Sequence, residues 1–114
     1  MAKPVLAVTR RLPPAIEARA AEEFTARLSP ADAPVSAADI LRMSQGADAL
    51  LCCRAERLDG GTIAALPASV KVIGTYSVGY DHIDLSAAKT RGLPVVNTPD
   101  VLSVHRLLAQ LVAS

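Results

Sequence analysis

Aromatic side chains are nearly missing from this chain of 114 residues: one phenylalanine, two tyrosines and no tryptophan. Any core must therefore be built from Val, Ile, Leu and Ala, which supply much of the 51% hydrophobic content. The same scarcity excludes a stacking platform for single-stranded nucleic acid, and no run of basic residues offers an electrostatic substitute. Charge is balanced at a formal +1, so nothing points to a polyanionic partner. No stretch approaches the roughly 20 apolar residues that a membrane span requires. The apolar run near the N-terminus is short and stops at Arg10 and Arg11, unlike a secretory signal. These absences together predict a soluble, cytoplasmic chain that binds neither nucleic acid nor membrane.

Cysteine is also scarce. The two present, Cys52 and Cys53, are neighbours. A disulfide between adjacent residues is strained, and successive strand residues point to opposite faces. No histidine or second cysteine pair stands at metal-ligand spacing, so both read as small structural thiols with no metal role.

The hydrophobic pattern alternates between short apolar runs and helical stripes. Residues 4–9, 47–53, 70–75 and 93–97 read as buried strands. Ile16, Ala20, Phe24 and Leu28 recur at steps of four, which predicts one helix over residues 13–28. A second strand is then left to the proline-rich stretch near residues 33–35. Ser36 with Asp39 three residues on marks a helix start, and Gly46 sits where such a helix would end. Asp59 caps a short helix stopped by Pro67, and Asp84 caps another closed by Gly92. Residues 101–113 read as a last helix. Repeated alternation with short connections predicts an α/β fold. Its expected form is flavodoxin-like: an open parallel sheet of order 2-1-3-4-5 with helices on both faces. Ligands of such sheets gather beyond the carboxyl ends of the strands.

The segments leaving that edge are informative by what they omit. Neither G-x-G-x-x-G nor G-x-x-x-x-G-K-[ST] occurs. Cys53 and Arg54 stand where a phosphate-accepting aspartate would end the third strand. What remains is S-V-G, within T-Y-S-V-G-Y-D-H-I-D after the fourth strand. Successive backbone N–H groups in a glycine-containing turn can form a concave nest for a carboxylate. The same residues equally make a plain turn, with Asp81 and Asp84 as caps. On spacing alone, both readings stand.

The stretch V-K-V-I-G-T-Y-S-V-G-Y-D-H-I-D-L-S-A-A-K-T-R-G-L-P-V-V-N-T-P-D-V-L-S resembles the D-isomer-specific 2-hydroxyacid dehydrogenases, above all their glyoxylate and hydroxypyruvate reductase branch. The likeness is strongest from residue 47 to 103 and lies in S-V-G-Y-D-H-I-D and G-L-P-V-V-N-T-P-D-V-L occurring together. It implies that residues 1–100 are the family's substrate-binding, or "catalytic", domain. The N–H groups of Val78 and Gly79, beside Ser77, would hold the carboxylate of a small 2-oxo or 2-hydroxy acid. Arg54 and Ala55 would line the same pocket. Asn97, Thr98 and Pro99 would lie near the hinge, facing the nicotinamide. His82 falls within the matched loop and is read as a loop residue rather than a proton donor; His105 receives no role.

The family's hydride chemistry uses NAD or NADP with an arginine and a histidine–glutamate pair. Those groups belong to sequence beyond the N-T-P motif, so no catalytic residue is assigned here. The NAD-binding Rossmann domain is expected to be absent, with no cofactor bound by this chain alone. Residues 101–114, with V-H-R-L-L-A-Q-L-V-A-S, depart from the family pattern, and a frame shift or truncated gene product is the expected origin. Their wide apolar face suggests self-association. The alternative is a non-catalytic module of the same fold that binds a small carboxylate or a partner chain.

Overall fold

Of the five strands among the described residues, four fall on the apolar runs described above and one does not. The structure, a computed structural model, describes residues 4–9, 14–28, 36–53, 57–76 and 82–97. Its elements in chain order are β1 (Val5–Val8), α1 (Pro14–Glu23), β2 (Thr25–Leu28), α2 (Ala37–Met43) and β3 (Ala49–Cys53). There follow α3 (Gly60–Ala65), β4 (Val72–Tyr76), α4 (Leu85–Thr90) and β5 (Val95–Asn97). These five strands pair in parallel in one sheet of order β2-β1-β3-β4-β5.

The helix expected over residues 13–28 is corrected. It ends at Glu23, and Thr25–Leu28 turns into β2, an edge strand paired in register with β1 from Val5↔Thr25 to Val8↔Leu28. The four-step stripe ran across the junction. Phe24, which is buried, is the residue where the chain leaves the helix and enters the sheet. Thr25 and Arg27, two positions apart and so on one face of the strand, are exposed. The exposed Arg27 side chain donates to the carbonyls of Met43 and Gln45 at the end of α2, giving the edge strand a second attachment. The alternative strand near residues 33–35 lies outside the described residues, as do the helix expected over 101–113 and His105.

Double burial explains the continuous apolar runs. Ala7, Leu50, Cys52 and Ile73 share one cluster with Ile40 of α2, Ile63 of α3 and Ala88 of α4. Leu6, Val8, Ala49, Leu51 and Val72 alternate with them, so they point to the opposite face, and they are fully buried too. The crossover from β1 to β2 runs across the sheet in the direction opposite to the others. The right-handed rule for such connections predicts α1 on that second face. Cys52 is a buried thiol.

The predicted caps are formed. The Ser36 hydroxyl accepts from the Asp39 N–H at 3.2 Å, the Asp59 carboxylate from Thr62 at 2.8 Å, and the Asp84 carboxylate from Ala87 at 3.0 Å. Gly46 and Gly92 follow α2 and α4 with φ of 74° and 68°, where a Cβ would be strained. Arg91 donates to the carbonyls of Ile63 and Leu66, both at 2.8 Å, and so fastens the end of α4 to the end of α3.

The Thr62 N–H lowers the pKa of Asp59 below the ordinary carboxylate range by bonding the charged form. A depressed folded-state pKa stabilises the fold above the unfolded value, about 3.9, and that contribution is lost as pH falls through the folded value. Asn caps a helix about as well as Asp but cannot titrate. Asp59→Asn is therefore expected to leave Tm near neutral pH almost unchanged and to flatten its fall below about pH 4. Scanning calorimetry of both proteins across that window checks this, and parallel acid limbs would count against it.

Candidate functional site

Parallel pairing brings the carboxyl ends of β1, β3, β4 and β5 to one edge. There Thr9, just past β1, is buried and donates its N–H to the Leu51 carbonyl at 3.1 Å. Cys53 at the end of β3 is in register with Tyr76 at the end of β4, and Thr75 with Asn97 at the end of β5. Asn97 is thus placed at the rim, beside the strand that feeds S-V-G. Arg54, Ala55, Ser77, Val78, Gly79, Asp81, Thr98 and Pro99 lie outside the described residues.

What the structure adds is the frame around two of these segments. Beyond them the chain pairs again, through an isolated parallel bridge between Leu58 and Ile83. The Leu58 N–H donates to the His82 carbonyl at 2.8 Å, and the Asp84 N–H donates to the Leu58 carbonyl at 2.9 Å. Residues 54–57 and 77–82 are consequently bracketed on both sides by β pairing, Cys53↔Tyr76 before and Leu58↔Ile83 after. The chain is thus paired between these two segments both before and after the residues that lie outside the described ones. Such pairing fixes the points from which each of the two segments departs and to which it returns.

His82 belongs to this frame. Its side chain is buried, at 7% exposure, and its Nε2 lies 2.8 Å from the Thr75 Oγ1 on β4. This contact ties the ring to the sheet. Asp84, directly after the bridge, caps α4 as expected. The Thr75–His82 pair and the Leu58–Ile83 bridge went unread in the sequence. The available signal was faint: a hydroxyl near the end of an apolar strand and a histidine seven positions later.

Comparison with known proteins places this edge in a family. Residues 6–105 match the D-isomer specific 2-hydroxyacid dehydrogenase family, catalytic domain, and the chain belongs to that family. It is 36% identical over 104 residues to the glycerate dehydrogenase of Hyphomicrobium methylovorum, covering 91% of this chain and 32% of that protein. With the human glyoxylate reductase/hydroxypyruvate reductase it shares 40% identity over 99 residues, 84% of this chain and 30% of the relative. Among solved structures it is similar to a Polaromonas sp. JS6 66 protein assigned to the NAD-binding D-isomer specific 2-hydroxyacid dehydrogenases. That likeness has a TM-score of 0.80 at 36% identity and covers 90% of this chain and 32% of the other. The chain spans about a third of the length of the curated relatives it matches. Among the described residues, no helix is long and apolar enough to cross a membrane.

Proposed function

We propose that this chain is the flavodoxin-like, substrate-binding part of an NAD(P)-dependent D-2-hydroxyacid dehydrogenase that handles a small 2-oxo acid such as glyoxylate or hydroxypyruvate. The observation that carries the reading is the double bracket of β pairing around residues 54–57 and 77–82 at the carboxyl edge, found in a member of this family. The relatives named as glyoxylate and hydroxypyruvate reductases supply the substrate class.

In this reading the substrate carboxylate sits on the N–H groups of Val78 and Gly79, beside Ser77. Gly79 permits the turn and the close approach of the ligand. Arg54, with its positive charge, and Ala55 line the same pocket. Asn97, Thr98 and Pro99 stand toward the hinge and the nicotinamide. The nicotinamide, when bound, supplies the hydride. No G-x-G-x-x-G occurs among the 114 residues, so a pyrophosphate cradle of that kind is not theirs to provide. The chain's own share is to bind and orient the organic anion.

Calorimetric titration of the chain with glyoxylate tests the proposal. Saturable binding is expected, and glycolaldehyde, which lacks the carboxylate, should not compete. Equal competition by glycolaldehyde, or no binding at all, would overturn it.

A further inference from the structure

We propose that residues 25–28 are a conformational switch: strand β2 while docked on β1, a continuation of α1 when undocked, with Arg27 as the latch of the strand state. Residues 15–29 contain neither glycine nor proline, and Pro30 stands two positions past Leu28. The local sequence therefore writes one helix that stops near Leu28. The stripe of Ile16, Ala20, Phe24 and Leu28 runs to the same point. Of the four residues of β2, Ala26, Arg27 and Leu28 are strong helix formers, and Thr25 alone is β-branched. These residues are held as strand against their local preference.

The end of α1 adds to the conflict. Its last turn carries Glu22 and Glu23 and no basic residue, whereas the carbonyl end of a helix favours a cation. Continued to Leu28, the helix would finish on Arg27. It would also set Glu23 four residues ahead of Arg27, the favourable order for a helical ion pair.

Tertiary structure holds the strand form. β2 is the edge of the sheet, paired in register with β1, and the Thr25 N–H donates to the Pro4 carbonyl at 2.8 Å. The exposed Arg27 guanidinium donates to the Met43 and Gln45 carbonyls at the end of α2. Undocking exchanges those carbonyls for Glu23. Only Phe24, 1% exposed, separates the helix from the strand, so the change is confined to one junction and one edge. Edge elements open at lower cost than the centre of a sheet, and a segment whose local and tertiary preferences disagree has a second structure to open into.

Chemical-exchange saturation transfer on the 13C,15N-labelled 114-residue chain tests the switch, because 13Cα shifts report the conformation of a minor state. A second state is expected at residues 25–28, populated at about 0.1–10%, with Cα shifts downfield of random coil as in a helix. Leu50 and Ile73, in the central strands, should show no such state. Arg27→Met removes the latch. Losing hydrogen bonds from a charged donor outweighs losing one helical ion pair, so the minor population should rise about threefold or more. Thr25→Ala, at an exposed position, removes the β-branched residue and should also raise it about threefold. Should one variant fail to fold, the parent chain and the other variant carry the comparison.

Random-coil shifts at residues 25–28 would mean an edge that only frays, and would overturn the switch. So would a second state shared equally by Leu50 and Ile73, or none in any of the three proteins. A helical minor state whose population ignores Arg27→Met would overturn the latch. Glyoxylate binding has no part in these outcomes, so the switch and the carboxylate reading stand or fall separately.

Discussion

Gly79→Leu is expected to weaken glyoxylate binding at least about 100-fold while leaving the urea unfolding midpoint close to that of the parent chain. Hydrogen bonds from amides to a charged acceptor contribute about 1.5–3 kcal/mol each, and the proposed nest has a pair of them. A leucine side chain opposes both, because it blocks close approach of the anion and disfavours the turn that aims the amides. The sheet and its pairing are built from other residues, so stability should be nearly indifferent. Calorimetry and equilibrium unfolding on the same sample separate the effects. A variant that binds as well as the parent would show that Gly79 marks an ordinary turn.

The largest expected loss of stability comes from the centre of the sheet. Leu50 is fully buried in the middle of β3, in register with Ala7 on one side and Ile73 on the other, within the cluster that receives Ile40, Ile63 and Ala88. Truncating a leucine at such a site removes transfer free energy and leaves a cavity that close-packed strands fill poorly. The cost is about 2–5 kcal/mol against a total of roughly 5–15 kcal/mol for a domain of ordinary stability. Leu50→Ala should therefore lower the urea midpoint by about 1–2 M with little change in slope. Leu85→Ala, at a residue that is 46% exposed, should shift stability by no more than about 0.5 kcal/mol. Equal effects at the two positions would contradict the core described here.

The parallel α/β character was legible because double burial writes itself into composition: A-L-L-C-C at β3 has no polar residue to place on a wet face. The helix starts were legible too, since Ser36, Asp59 and Asp84 each act locally on an N–H three residues ahead. The failure at Thr25–Leu28 has a physical cause. A four-step stripe and a two-step alternation coincide every fourth residue, so T-A-R-L satisfies both. Tertiary pairing with β1 decides between them, and one β-branched residue was too little to announce it.

The proposed site is less legible for a different reason. A nest is made of main-chain amides, which have no letter in the sequence apart from the glycine that permits them. The frame that holds the loops is likewise main-chain pairing between residues far apart, Leu58 with Ile83. Even the side-chain member, His82 on Thr75, joins a loop to a strand across a turn, where no periodic pattern applies.

The central claim is that the amides of Val78 and Gly79 receive the substrate's carboxylate. Its most direct test follows these two N–H resonances in the 15N-labelled chain as glyoxylate is added. A large, saturable downfield shift of both, at concentrations matching the calorimetric affinity and absent with glycolaldehyde, is the predicted result. Saturation with neither resonance moving, while other amides respond, would contradict it.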